Sequence, residues 1–161
     1  MKILQTPARC YPYIGGVERH AYQISQELAK RGHEVEILCA NQPKGPAKEE
    51  IKGITVHRLF YPFKIYNTNV TPTFPLKLLS KDCDVIHTYF PGFWSSDFSS
   101  IIGKIRKIPV IYHYYNDVID RGIKQIYNST VLKLSLNLAK RILVAHDRYV
   151  DYSFILPKYR E

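Results

Sequence analysis

The sequence predicts an α/β fold built on a doubly wound parallel sheet. Short apolar segments rich in Val, Ile and Tyr recur along the whole chain, as is typical of buried strands. Helical patterns lie between several of these segments, and such alternation indicates parallel strands joined by crossover helices. The length of 161 residues corresponds to about one domain. We therefore expect residues 1–161 to form a single domain.

Six segments are predicted to be strands, separated in two places by long loops. The loops are expected at 41–53 and at 61–75, and the second contains three prolines. The strand segments are, in chain order, 2–6, EVEILCA (34–40), ITVHRLF (54–60), DVIHTYF (84–90), IPVIYHYY (108–115) and RILVAH (141–146).

The first predicted helix follows the first strand after a loop that contains two glycines. Val17, Ala21, Ile24 and Leu28 recur at helical spacing, with polar residues on the other faces. Gly32 then supplies a left-handed stop.

Two further helices are predicted later in the chain. One is carried by Phe98, Ile101, Ile102 and Ile105. In 118–140 the evidence is mixed, because some leucines alternate as in a strand while other residues keep helical spacing, and we favour a helix. The alternating residues are Leu132, Leu134, Leu136 and Leu138, and the helically spaced ones are Ile119, Ile123, Ile126 and Thr130.

Composition limits the classes of protein and partner. The formal net charge of +9 suits an anionic ligand, a membrane surface or nucleic acid, and it is also compatible with no partner. Cys10, Cys39 and Cys83 are odd in number and lack a CxxC pair, so we expect free thiols in a reducing compartment. The sequence shows neither a signal peptide nor a long apolar span, and a cytoplasmic location is expected.

Two adjacent glycines, Gly15 and Gly16, precede the first helix. A helix N-terminus carries unpaired N–H groups and a partial positive charge that attract phosphate, and glycine lets an anion approach the backbone. The spacing is neither GxGxxG nor GxxxxGK[ST], which excludes the dinucleotide fingerprint and the P-loop. By these arguments a tight structural turn and an anion site remain equally open.

The stretch PYIGGVERHAYQISQELAKRGHEVEIL resembles the opening of the retaining glycosyltransferases of family 4. In that family a Pro-x-x-Gly-Gly-x-Glu loop precedes a helix that ends in Arg-Gly-His-x-Val. DVIHTYF, IPVIYHYYND and AKRILVAHDRYVDY are similar, in the same order, to later segments of the family's N-terminal domain, although the family often has Ser where His146 stands. The residues that match the opening motif are Pro12, Gly15, Gly16, Glu18, Arg31, Gly32, His33 and Val35.

This resemblance implies the Rossmann-like N-terminal, acceptor-side half of a two-domain GT-B fold. The implied reaction moves a sugar from a nucleotide-diphosphate donor to a carbohydrate or lipid-linked acceptor with retention, without a cofactor or an essential metal. The family's Glu-x7-Glu motif and nucleotide-sugar-binding domain are expected to be absent from this chain, and the chain alone is expected to be inactive.

The resemblance also implies roles for individual residues. Gly15 and Gly16 would bind the donor diphosphate, and His113 would be the catalytic position beside the donor sugar. His87 would border the acceptor cleft. Further candidates for lining that cleft are Tyr89, Asn116 and Glu18.

Other features of the sequence leave alternatives. His87, His113 and His146 each fall near the carboxyl end of a predicted strand, where open α/β sheets bind ligands, and a zinc site is a minor alternative. Asp82–Asp84 precedes a strand, so this Asp-x-Asp is interpreted as a solvated turn and not a metal site. His33 and His57 are interpreted as structural.

The stretch 58–77 mixes aromatic and basic residues, which suits core and loop, a lipid interface or single-stranded nucleic acid, the last being least favoured. Peripheral association with an anionic membrane at the inner face is a further expectation, and nucleic acid is not an expected partner. The rival to an enzyme is a non-catalytic anion- or membrane-binding α/β domain.

Overall fold

A computed structural model describes residues 1–118 and 123–160. Seven of its strands form one sheet in the order β3-β4-β2-β1-β7-β8-β9, and β5 and β6 form a separate hairpin. The strands are β1 (Lys2–Thr6), β2 (Glu34–Ala40), β3 (Lys48–Ile51), β4 (Ile54–Leu59), β5 (Phe63–Ile65), β6 (Thr68–Val70), β7 (Val85–Phe90), β8 (Val110–Tyr114) and β9 (Arg141–Val144).

The large sheet is parallel except at one edge, where β3 pairs antiparallel with β4. From β1 the chain proceeds to β2 and β4 on one side, and then returns to place β7, β8 and β9 on the other. The order therefore reverses between β1 and β7. In open α/β sheets the crevice at such a switch point, at the carboxyl ends of the strands, is where ligands bind. The predicted doubly wound sheet and its six strands are confirmed.

Helices cover both faces of the sheet. They are α1 (Gly16–Lys30), α2 (Phe74–Leu79), α3 (Ser95–Arg106), α4 (Ile123–Tyr127), a π-helical turn (Asn128–Leu132), α5 (Lys133–Leu138), α6 (Tyr149–Tyr152) and a 3-10 helix (Leu156–Tyr159). Tyr22 and Leu28 of α1 pack on the apolar side chains of β2 and β4. The opposite face is covered by α2 and α3 over one part and by the segment containing α5 over another.

The first helix ends as the sequence predicts. Arg31 follows its last residue, and Gly32 has φ +82, the left-handed conformation that glycine adopts without steric cost. The helix predicted over 118–140 is present from Ile123 to Leu138, with one π-helical turn inside it. Residues 119–122 of that prediction lie outside the described residues.

The predicted helix α3 is correct, and its predicted apolar positions are buried in part. Ile102 lies in the core and Phe98 packs against it, whereas Ile105 is exposed. The other buried residues of the helix are mainly serines, with Asp97 and Gly103. Small residues let this helix lie close to the strands, where Ser99 Oγ is 2.9 Å from Thr6 Oγ1. The packing of small polar side chains therefore sets which face of α3 lies against the sheet. The spacing of apolar residues in the sequence does not reveal this kind of packing.

Both predicted loops contain regular structure. Segment 41–53 includes β3, a strand of polar sequence whose Glu49 is paired with Arg58 of the neighbouring β4. Segment 61–75 includes the β5–β6 hairpin and the start of α2. These strands form by pairing with a neighbour, which the composition of the segments alone does not indicate. No helix among the described residues is long and apolar enough to cross a membrane.

Candidate active site

The glycine loop lies at the carboxyl end of the central strand. It follows β1, at the switch point of the sheet, and leads directly into α1. The first backbone hydrogen bond of the helix is donated by Arg19 N–H to Gly15 O, at 2.9 Å. The N–H groups of residues 16–18 precede this bond, and they are the groups that a helix N-terminus offers to an anion.

The two glycines differ in what surrounds them. A Cβ added to Gly15 would collide with the carboxylate of Glu18, which folds back over the loop. A Cβ added to Gly16 would meet no atom within 4 Å, and Gly16 does not have a positive φ. A Cβ at Gly15 would therefore require the end of the Glu18 side chain to move. At Gly16 neither packing nor backbone conformation requires glycine.

Histidines and tyrosines of β7 and β8 form a stack beside this loop. His87 and His113 are nearly parallel, with ring centroids 5.5 Å apart. Tyr89 lies 4.5 Å from His87, and Tyr115 lies 4.4 Å from His113, measured between ring centroids. These residues share one face of the sheet because side chains alternate along each strand. The structure thus brings together His87, Tyr89 and His113, three of the predicted site residues.

His20 of α1 completes the stack, and sequence reasoning missed it. Its ring lies edge-on to His113, with centroids 5.3 Å apart, and its Nδ1 is hydrogen-bonded to the hydroxyl of Tyr115. His20 stands one helical turn after Gly16, so α1 carries both the glycine N-terminus and a side chain of the stack. The sequence feature that could have identified His20 is its position four residues after Gly16, one turn further along the same helix.

Burial keeps the two stacked histidines uncharged at neutral pH. Desolvation, with the neighbouring His113 and His20, lowers the pKa of His87 to about 3. The same desolvation, with His20, lowers the pKa of His113 to about 4. A neutral imidazole carries one donor and one acceptor nitrogen, so each ring can form hydrogen bonds with an uncharged polar group.

Several buried polar atoms in this stack have no partner among the described residues. They are Gln5 Nε2, His87 Nε2 and His113 Nδ1. Gln5 and His87 are paired in register on β1 and β7, and Gln5 Oε1 accepts a hydrogen bond of 2.6 Å from the Tyr89 hydroxyl. Buried polar groups are almost always paired in native proteins, so a cluster of unpaired ones indicates a place where a ligand or water binds. Tyr89 itself is fully buried, and its ring lies against those of His87 and His113.

Arg9 is a second residue that the sequence did not single out. It is buried in the loop after β1, with its guanidinium 3.6 Å from Glu18 and 4.6 Å from the ring centre of Tyr13. Its Nε donates to Asn69 Oδ1 at 2.8 Å. Glu18 thus lies in the first turn of α1 and is held over the glycine loop by Arg9, which also ties this loop to β6.

Other predicted residues lie apart from the stack. Asn116 is exposed beyond the end of β8, where its amide donates to Asp117 O at 3.2 Å. His146 is exposed after β9 and accepts a hydrogen bond from Arg148 N–H. Asp82 and Asp84 are at the amino edge of the sheet, where both bind Lys2. Within residues 1–118 and 123–160, no group of three or more His, Cys, Asp or Glu side chains could hold a metal ion.

A cavity of about 270 Å³ lies elsewhere, between the C-terminal segment and the helix after β8. Asp117 in its wall is already paired with the hydroxyls of Tyr114 and Ser153. Its wall contains one buried polar atom without a partner among the described residues, Asn128 Oδ1, against three such atoms at the histidine stack. We regard the stack as the candidate site.

Comparison with known proteins identifies the family of the chain. The family model described as Glycosyltransferase Family 4 matches residues 14–152, which include the glycine loop and both stacked strands. The chain belongs to glycosyltransferase family 4. It is 29% identical over 177 aligned residues to the O-antigen chain mannosyltransferase C of Escherichia coli, and it spans 44% of the length of that relative.

A solved structure supports the fold alone. The chain superposes on phenylacrylic acid decarboxylase from Aquifex aeolicus with a TM-score of 0.50 and 7% identity, covering 98% of this chain and 93% of the other. At that identity the similarity concerns the arrangement of strands and helices, and the chemistry must be argued from the site.

Proposed function

We propose that this chain is the acceptor-side half of a glycosyltransferase that takes a sugar from a nucleotide-diphosphate donor with retention of configuration. The observation that carries the proposal is the pair of unpaired, buried imidazole nitrogens, His87 Nε2 and His113 Nδ1, beside the open Gly16 loop. An anion site next to neutral hydrogen-bonding groups is what the diphosphate and the sugar of such a donor require.

The loop would stabilise the leaving group. When the bond between the anomeric carbon and the diphosphate breaks, negative charge develops on the departing phosphate oxygens. The N–H groups at the start of α1, with the partial positive charge of the helix N-terminus, would stabilise that charge without reorganising. Glu18, held by Arg9, is turned over Gly15, and the side of Gly16 remains open to the anion.

The imidazoles would orient the sugar. His113 is uncharged at neutral pH and would donate or accept one hydrogen bond to a donor hydroxyl, while its stacking on Tyr115 and the contact with His20 hold its ring. With a pKa of about 4 it is a weak base, so its role is orientation and not proton removal. His87 would contact the acceptor side of the same crevice.

The relative's name directs the choice of substrates. It is an O-antigen chain mannosyltransferase, which supports a hexose as the transferred sugar and mannose as the first one to test. The acceptor in this proposal is a carbohydrate or a lipid-linked carbohydrate, and the nucleotide pocket would be supplied by a second domain.

The test uses the protein that joins this domain to a nucleotide-binding domain, incubated with a panel of nucleotide sugars that includes GDP-mannose. We expect release of nucleotide diphosphate that depends on acceptor, and a product whose anomeric configuration by NMR equals that of the donor. His113→Ala should lower turnover, while the control His146→Ala, an exposed histidine outside the stack, should not. An inverted product would refute retention, and equal activity of both variants would refute the assigned site.

A further inference from the structure

The β5–β6 hairpin presents a cluster of large apolar side chains to solvent. It forms its own two-stranded sheet, separate from the seven-stranded one. Phe60 just before it is 74% exposed, Phe63 and Ile65 are each 54% exposed, and Tyr66 at its turn is 76% exposed. Four exposed residues of this size within seven positions form a patch and are not scattered surface residues.

The base of this hairpin is fixed to the body of the protein. Asn69 of β6 accepts a hydrogen bond from Arg9 Nε and donates one of 2.8 Å to Gln42 Oε1. Val70 and Thr71 after it are buried. The apolar residues are therefore held outward by an anchored element, and their exposure is a property of the fold.

The surroundings of the patch are basic. The sequence contains no acidic residue between Glu50 and Asp82, whereas Lys64 and Lys77 lie in that interval. The ammonium of Lys124, from α4, is 5.2 Å from the ring centre of Tyr66. Exposed aromatic rings interleaved with lysines, without carboxylates, match the chemistry of an anionic lipid surface.

We propose that the β5–β6 hairpin docks on the surface of an anionic bilayer. Phe60, Phe63, Ile65 and Tyr66 enter the boundary between headgroups and acyl chains, and Lys64 binds lipid phosphates. Tyr66 suits this boundary because its ring is apolar while its hydroxyl can remain hydrated, and the phenylalanines contribute apolar area. The absence of carboxylates from this stretch of sequence removes the repulsion that lipid phosphates would otherwise exert.

Docking in this way would place the candidate site at the membrane. The hairpin follows the carboxyl end of β4, and the glycine loop follows the carboxyl end of β1, at the same edge of the parallel sheet. Arg9 contacts both elements. A lipid-linked acceptor would then meet the site without leaving the bilayer. This consequence rests on the proposed function, whereas docking itself does not.

Vesicle sedimentation of the 161-residue chain tests the proposal. Vesicles of phosphatidylglycerol and phosphatidylcholine in equal parts are compared with vesicles of phosphatidylcholine alone, at low and high salt. We expect binding to the anionic vesicles that weakens with salt and is much lower on the neutral ones. Phe63→Ser combined with Tyr66→Ser should lower the partition coefficient more than tenfold. Lys64→Glu, which changes the charge by two units, should lower it about thirtyfold.

Matched control variants distinguish binding through the hairpin from binding that depends only on an exposed apolar residue or on net charge. Phe154→Ser removes a phenylalanine that is 82% exposed outside the hairpin. Lys104→Glu makes the same charge change as Lys64→Glu, at an exposed lysine of α3. Both controls should bind like the parent, and equal melting temperatures of all variants should confirm that folding is intact.

A second measurement locates the docked residues. Phe63→Trp and Phe154→Trp are titrated with vesicles containing brominated lipid, each against the parent that has Trp94 alone. Quenching of the tryptophan at 63 but not at 154 supports the proposal. No binding to anionic vesicles, equal loss in hairpin and control variants, or self-association through the hairpin in sedimentation equilibrium would overturn it. Vesicle binding by this chain, combined with no sugar transfer by the proposed two-domain enzyme, would count against the proposed function only.

Discussion

Replacing Gly16 with Ala separates the two roles open to the glycine loop, a structural turn and an anion-binding site. Gly16 is the first residue of α1, lacks a positive φ, and has no atom within 4 Å of an added Cβ. Alanine is the better helix former and restricts the unfolded chain. We therefore expect the free energy of unfolding to stay constant or to rise by up to about 1 kcal/mol.

Anion binding should change in the opposite direction. The new methyl group would occupy the open space through which an anion reaches the N–H groups of residues 16–18. Losing one preorganised donor raises a barrier by about 2.7–4 kcal/mol, which corresponds to roughly 10²–10³ in rate. In the two-domain enzyme that we propose, Gly16→Ala should lower turnover by that factor. In the isolated chain it should weaken the binding of pyrophosphate.

Two assays on the isolated chain distinguish an anion-binding role of Gly16 from a structural one. Urea unfolding followed by circular dichroism measures stability, and a pyrophosphate titration followed through the amide NMR signals of residues 16–18 measures binding. Gly45→Ala is the control, because Gly45 also lacks a positive φ and its added Cβ would make only ordinary contacts, at 3.8 Å from Arg58. Parental pyrophosphate affinity in Gly16→Ala would refute the anion site. A loss of stability above 1 kcal/mol would refute the packing argument.

Three further predictions concern pH, packing and the isolated chain. Because the pKa of His87 is about 3 and that of His113 about 4 in the fold, against an ordinary 6.5, the unfolded chain binds more protons below pH 6.5. The contribution of these two histidines to the free energy of unfolding should be complete above pH 6.5. In urea titrations the free energy of unfolding should fall by roughly 3 kcal/mol or more between pH 6.5 and pH 4, and His87→Gln should make it depend less on pH. Gly103→Ala should lower the free energy of unfolding by about 1–3 kcal/mol, because its Cβ would collide with Val110, and an unchanged urea midpoint would contradict the close packing of α3 on β8. The isolated chain should fold but release no nucleotide diphosphate from any nucleotide sugar, and measurable turnover would contradict the need for a second domain.

The fold class and the position of the candidate site could be predicted from the sequence. Buried parallel strands are rich in residues such as Val, Ile and Tyr, and the first helix has an apolar stripe and a left-handed stop at Gly32. Because these features are local, they can be recognised in the sequence. The glycine loop and the histidines of β7 and β8 were predictable for the same reason. The carboxyl ends of parallel strands meet at one edge, and any polar residue that ends such a strand is brought there.

The tertiary structure alone decided which side chains meet. His20 joins His113 because of the way α1 lies across the sheet, and Arg9 reaches Asn69 across 60 positions of chain. The β5–β6 hairpin could not be predicted from the sequence because its strands are three residues long and form by pairing with each other. Contacts between distant residues depend on the relative placement of whole elements. That placement is set by the packing of the entire core, so no local pattern of residues encodes it.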